Sequence, residues 1–254
     1  MSAPQKPVLA GNWKMKHGPS EAARFFAGFL ALHPPRETGS VVFFPPAISF
    51  AAAREALQGR PDVRLGVQNV HWEAGGAFTG ETAAPMAADA GAALVLVGHS
   101  ERRWVFGETV AETVDKVRAV LRAGLVPVLC VGERLDERRA GRAEAVVAAQ
   151  LQPVLEAVPL AAARSLVVAY EPVWAIGTGV VATPDDAGAM HRFVRSRLEA
   201  AYGGETAAAI PILYGGSVKP DNARELLTEP GVDGVLVGGA SLDPAGFAAI
   251  CAAV

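Results

Sequence analysis

The chain reads as an α/β protein, a closed barrel of eight parallel strands each followed by helix, the (β/α)8 architecture, on three observations. Short runs rich in Val, Leu and Ile alternate with longer amphipathic segments, and the alternation repeats about eight times. Several of these runs lack polar alternation, as strands covered on both faces do. The 254 residues, 51% of them apolar, carry no Ser/Pro-rich linker or break in composition, and barrels of this kind reach that size as one domain. Residues 1–254 are therefore expected to form a single domain. An open doubly wound sheet is the competing architecture, although no GxGxxG dinucleotide fingerprint follows the first run.

The strand candidates span residues 8–10, 41–44, 63–67, 92–97, 126–131, 166–170, 210–214 and 234–237. Between the fourth and fifth, Val110, Val114, Val117 and Leu121 draw one apolar stripe at helical spacing, and Gly124 follows as a stop signal. The polar stretch 136–144 flows into Val146, Val147, Leu151, Val154 and Leu155, so it marks no domain boundary. Thr183-Pro184-Asp185-Asp186 combines an N-cap, a first-turn proline and first-turn acids, and Met190, Val194 and Leu198 continue a buried face behind it.

A net charge of −3 supplies no basic field for nucleic acid or an anionic membrane surface, while leaving room for a local cationic pocket. The amino terminus lacks the apolar region of a signal peptide, and no apolar stretch reaches the roughly 20 residues of a membrane span. A cytoplasmic protein is expected. Cys130 and Cys251 lie far apart without metal spacing and fit reduced thiols; Cys130, inside an apolar run, reads as a buried packing residue.

Function is sought where parallel α/β folds place ligands, at the carboxyl ends of strands. Glu171 sits at such an edge, after Leu166-Val167-Val168-Ala169, and is followed at once by Pro172 and then Gly177 and Gly179. A lone carboxylate before a stiff-then-flexible loop reads as a base with a lid. After the first strand, Asn12 and Lys14 share parity along an extended chain and could both point inward, although the tetrapeptide alone equally suits a turn-forming Asn and a solvated Lys. After the fourth strand, His99 stands where a helix amino end disfavours the imidazolium, so a neutral ring could donate a hydrogen bond to a carbonyl or enediolate oxygen. Glu101 is either the ion partner of Lys14 or a solvated partner of Arg102 or Arg103. No second His or Cys at ligand spacing supports a metal at His99. Gly215-Gly216-Ser217 and Gly238-Gly239 follow the seventh and eighth strands; each is a tight turn by itself, but together with Gly177 they suit an anion held by backbone N–H groups.

The segments 11–15, 98–103, 169–179 and 214–218, in this order and spacing over essentially the whole chain, closely resemble the triosephosphate isomerase family. The resemblance implies a TIM barrel that interconverts dihydroxyacetone phosphate and glyceraldehyde 3-phosphate through an enediolate in glycolysis and gluconeogenesis, with no metal and no organic cofactor. It implies Glu171 as the base, His99 as the group that polarises the carbonyl, Lys14 as stabiliser of negative charge and Asn12 as an orienting residue. It also implies Gly177, Ser217, Gly238 and Gly239 as the phosphate cradle, under a lid over 175–179. A free glutamate titrates near pH ~4.3, so burial under the lid is expected to raise Glu171 toward neutrality. Finally, residues 68–69 and 75–81 resemble a loop that reaches a neighbouring subunit, implying a homodimer in which Thr79 approaches the other chain's Asn12 and Lys14.

Two positions depart from the family pattern. Val180-Val181-Ala182 replaces the frequent Lys-Thr-Ala second hinge, and Lys16-His17 follows Met15 where Asn is common. The competing enzyme is a barrel aldolase with Lys14 as Schiff-base nucleophile, which needs a neutral amine. A barrel that binds sugar phosphates without turnover would have lost a catalytic group, and none is missing.

Overall fold

The computed structural model describes residues 3–176 and 182–254. Strands β1 (Val8–Asn12), β2 (Ser40–Phe44), β3 (Val63–Val67), β4 (Leu94–Val97), β5 (Val126–Val131), β6 (Val167–Tyr170), β7 (Ile212–Tyr214) and β8 (Gly234–Val237) follow one another round a closed barrel. Each pairs in parallel with its chain neighbours, and β8 closes on β1. At least one helix follows every strand.

Strand boundaries shift where backbone hydrogen bonds overrule side-chain polarity. Strand β1 runs two residues beyond its apolar run, because Gly11 and Asn12 continue in register with Phe43 and Phe44. Strand β6 begins after Leu166, whose N–H instead closes a turn on the Ala163 carbonyl. Strand β7 begins after Ile210, bonded to Ala207, and Pro211, which has no N–H to give. The helical expectations hold locally. The helix Val110–Arg122 buries Val117 and packs Val114 and Leu121 against the core, and Gly124 beyond it has φ +72. The Thr183 hydroxyl accepts from the Asp186 N–H to cap Pro184–Tyr202.

Two apolar layers follow from the period of two along each strand. Val8, Ala10, Val42, Phe44, Leu94, Leu96, Val128 and Ala169 fill the barrel interior, while the alternate residues Leu9, Val41, Phe43, Val95, Leu129 and Val168 pack outward on the helices. Register carries the alternation round the sheet: Ala10 pairs with both Val42 and Leu236, all interior, and Gly11 with Phe43. Phe43 is the hub of the outer layer, its ring centroid lying 4.9–5.8 Å from those of Trp13, Phe25, Phe26, Phe29 and Phe247.

Phe43→Ala is expected to cost about 3–5 kcal/mol, because five surrounding rings cannot all collapse into the space it vacates. Equilibrium denaturant unfolding measures this, and a loss below ~1 kcal/mol would mean that the helical shell does not lean on this ring.

Candidate active site

Strands that all run one way end at one rim. Taken two residues at a time, the inward rows arrive there at Asn12 from Val8 and Ala10, at Glu171 from Val167 and Ala169, at Gly215 from Leu213 and at Gly238 from Leu236. A cavity of about 930 Å³ opens at this rim, lined by Asn12, Lys14, His99, Glu101 and Glu171. Ser217, Gly238 and Gly239 also line it. Gly177, Gly179 and the Val180-Val181 hinge fall outside the described residues.

The β1 loop turns sharply rather than continuing extended. Lys14 has φ 51, a left-handed conformation that costs an L-residue about 1–2 kcal/mol, and two hydrogen bonds hold it. Its N–H donates to Asn12 Oδ1 at 3.0 Å, and Gln68 Nε2 donates to its carbonyl at 2.8 Å. Lys14 thus reaches the cavity through a turn and not through strand parity. Its Nζ lies 2.7 Å from Glu101 Oε1, which resolves the choice of partner for Glu101. Trp13, fully buried between these residues, donates from Nε1 to the Ser241 carbonyl at 3.1 Å and so ties the β1 loop to the loop after β8.

His99 is the N-cap of the short helix Ser100–Trp104, and its Nδ1 accepts from the Glu101 N–H at 3.3 Å. A ring that accepts at Nδ1 carries its proton on Nε2 when neutral. That Nε2 lies 3.0 Å from Glu171 Oε1, and Glu171 Oε2 accepts from the Ser100 N–H at 2.8 Å. The close approach of backbone to Glu171 requires glycine just beyond both neighbouring strands, β5 and β7. A Cβ at Gly132 would fall 1.7 Å from the Glu171 carbonyl oxygen, and one at Gly215 would fall 2.9 Å from Glu171 Cγ.

The charges set the resting state of two groups. Burial is the largest influence on Glu171 and pushes it up, but the charge and hydrogen bond of His99, the Ser100 N–H and Lys14 together outweigh burial, so the carboxyl is held below its ordinary value. Burial likewise is the largest influence on His99 and lowers it, yet the charge and hydrogen bond of Glu171 carry the net direction upward. The helix amino end alone does not govern this imidazole while the carboxylate faces it. Cys130, fully buried on the inner row of β5, has its thiol driven well above the ordinary range by burial and then by the Glu171 charge. It packs beneath the site.

Several supporting residues escape a reading of the sequence. Glu108 accepts from the Gly98 N–H at 3.0 Å and from Arg102 Nε and Lys116 Nζ at 2.5 Å each, while Arg103 Nε donates to the Gly98 carbonyl at 2.7 Å. Behind Glu171, Glu133 Oε1 accepts from Tyr170 Oη and Trp174 Nε1 at 3.1 and 2.8 Å. In sequence these acids and arginines look like solvated charges; only Glu133, two residues after β5, carries the signal of a position just past a strand.

Residues 7–254 match the family model described as Triosephosphate isomerase. The triosephosphate isomerase of Solibacter usitatus is 48% identical, the match covering 97% of this chain and 98% of the relative. That of Symbiobacterium thermophilum is 49% identical, covering 97% and 96%. The crystal structure of the Bartonella henselae triosephosphate isomerase superposes with a TM-score of 0.85 at 39% identity, covering 98% of each chain.

Glu108→Gln is expected to destabilise the protein by about 3–5 kcal/mol at pH 7, since it leaves two buried or half-buried cations short of a carboxylate. Burial pushes Glu108 up, but Lys116 and Arg102 outweigh it and hold the group below its ordinary value. Stability from a depressed carboxyl is present above the unfolded value, ~4.3, and is lost as pH falls through the folded one. Unfolding measured against pH should therefore show the two proteins converging below about pH 4; a gap independent of pH would sink the ion-pair account.

Proposed function

The chain belongs to the triosephosphate isomerase family, and from that premise we propose how its own side chains interconvert dihydroxyacetone phosphate and glyceraldehyde 3-phosphate, the glycolytic isomerisation that membership assigns to it. Glu171 removes a proton from the carbon beside the carbonyl and returns it to the neighbouring carbon. His99 polarises the carbonyl and moves protons between the two oxygens of the enediolate, a division of labour that is the family's known pattern. Lys14 offsets the negative charge that develops, Asn12 orients the site, and Ser217, Gly238 and Gly239 hold the phosphate, joined by Gly177 from the lid.

The observation that carries this reading is the meeting, in one cavity, of a carboxylate, an imidazole and an ammonium from three separate strand ends. Their resting contacts add a requirement. To reach a carbon, Glu171 must leave the Ser100 N–H and the His99 ring, both of which it occupies at hydrogen-bond distance. Its departure frees His99 Nε2–H to donate to a substrate oxygen and removes the charge that raises the ring, so one movement readies both groups. Away from its partners, Glu171 is left mainly to burial, which raises it. The aldolase alternative is disfavoured by Glu101, whose carboxylate pairs with Lys14 Nζ at 2.7 Å and so engages the nitrogen that a Schiff base would need.

The active form in this proposal is a single-domain barrel that pairs as a cytoplasmic homodimer. Large apolar side chains stand open on the face beside the site, with Met15 94% and Ile48 77% exposed, as an unpaired interface would leave them. The loop bearing Thr79 has its Phe78 half-exposed and resting on His71. In the proposed dimer this loop approaches the partner's Asn12 and the partner's Lys14. No helix among the described residues is long and apolar enough to cross a membrane.

A coupled isomerase assay tests the roles. Glu171→Asp should lose a large part of the roughly 10²–10⁴-fold that a positioned base supplies, and Lys14→Ala should both raise KM and lower kcat; wild-type constants in either variant would refute the role of that residue. After correction for the substrate phosphate, which ionises near pH ~6, the acid limb of kcat/KM should fall below the ordinary glutamate value of ~4.3, because free-enzyme Glu171 is depressed. An enzyme limb near neutrality in kcat/KM would contradict the resting geometry.

A further inference from the structure

The face opposite the active site, where helices hand over to strands, carries a second cavity, with an apolar wall and a charged lining of one sign. Residues 57–61 lead into β3 and residues 91–93 into β4, and between them lies a space of about 520 Å³. Its charged lining consists of Arg54, Arg60 and Arg64, with no carboxylate among the described lining residues. Leu57, Leu65 and Ala93 supply apolar wall. A volume of this size suits a small molecule.

Arg64 is the unusual member. It pairs in register with Val42, an interior residue, so it stands on the inward face at the start of β3, where the other strands place aliphatic side chains. The next inward position, Gly66, cannot carry a side chain, since a Cβ there would lie 2.3 Å from the Phe44 ring. Among the described residues no side-chain hydrogen bond or ion pair engages Arg64, although it is half-buried. The other two guanidiniums are anchored with donors to spare. Arg60 gives Nε and Nη2 to Asp62, each at 2.8 Å, and keeps Nη1. Arg54 gives Nη1 to the Ala90 carbonyl at 2.8 Å and keeps Nη2. It lies flat over Gly91, φ +92, where a Cβ would stand 3.1 Å from its guanidinium carbon.

We infer that this cavity is a binding site for a small phosphate monoester, held by Arg54, Arg60 and Arg64 through its phosphate and by Leu57, Leu65 and Ala93 through its carbon skeleton. An unpaired, partly desolvated guanidinium is costly, and a phosphate oxyanion offsets that cost by accepting two parallel N–H bonds from the planar fork. Asp62 answers only one of the three cations by direct contact, so the site keeps a surplus of positive charge. It is separate from the catalytic cavity, with which it shares no lining residue.

Titrating the full-length protein with phenyl phosphate, followed by NMR of backbone amides and arginine Nε–H groups, tests the site. Saturable shifts are expected at Leu65, Gly91 and Arg64, distinct from any at Gly238 and Gly239. Arg64→Met, which keeps bulk and removes charge, should weaken the first set about tenfold or more while leaving the second set and isomerase turnover unchanged. Arg54→Ala, on an exposed helix face, gives the same test should Arg64→Met fail to fold. Absence of saturable shifts at Leu65 and Gly91, or equal affinity in the wild type and in whichever of the two variants folds, would overturn the assignment. Loss of isomerase activity in the wild type would bear on the catalytic reading alone.

Discussion

Eight parallel strands closed on themselves have no free edge and one shared direction. That constraint delivers the site. With a side-chain period of two, every inward row that begins in the aliphatic interior ends at the same rim, which is why residues as distant in the chain as Asn12, Glu171 and Gly238 line one cavity. The closure depends in turn on the outer layer, where Phe43 gathers the rings of the first and last helices. Trp13 links the two levels, packed among those rings and hydrogen-bonded to the Ser241 carbonyl in the loop after β8.

At the rim, burial and charge act in opposite senses on the same two groups. Dry surroundings favour neutral Glu171 and neutral His99, while their mutual approach at 3.0 Å favours the charged forms, and charge wins for both in the resting arrangement. A carboxylate kept ionised and tethered is protected from early protonation but is not yet a strong base. In the reaction proposed for it, that strength appears when it leaves those partners for a substrate, since burial then acts unopposed. In the proposed reaction the contact that stores the base is thus the contact that must break, and the imidazole is released by the same step.

The support beneath His99 is built from fully committed charges. Gly98, φ +70, offers its N–H to Glu108 and its carbonyl to Arg103, and Arg103 Nη2 also reaches the Cys130 carbonyl at 3.0 Å on β5. A side chain at Gly98 would meet the Arg103 guanidinium at 2.4 Å. The imidazole is therefore aimed from a peptide clamped on both sides. Lys116 extends the clamp to Asn69 at 2.9 Å, coupling the β4 loop to the loop after β3 that carries Thr79.

Hydrophobic period, strand count and the order of motifs are local properties, and local order is enough to announce a barrel and to put Glu171, His99 and the glycine pairs at strand ends. The Thr183 cap and the Val110–Arg122 stripe are legible for the same reason: their partners lie within a few residues. Partnership across the barrel is not legible in this way. That Glu101 belongs to Lys14 and that Glu171 rests below its ordinary value depend on groups dozens of residues away, and Glu108 and Arg103 turn back on Gly98, ten and five residues off, through a loop path that no periodicity encodes. The inward stance of Arg64 is likewise revealed by strand register alone. Sequence determined which chemistry the chain carries, because residue types and their spacing along it are enough to specify that. Which charge faces which, and hence the protonation each group holds, only the closed tertiary structure decided, because electrostatic energy depends on distance through space and on exclusion of water, and neither is written in the order of the chain.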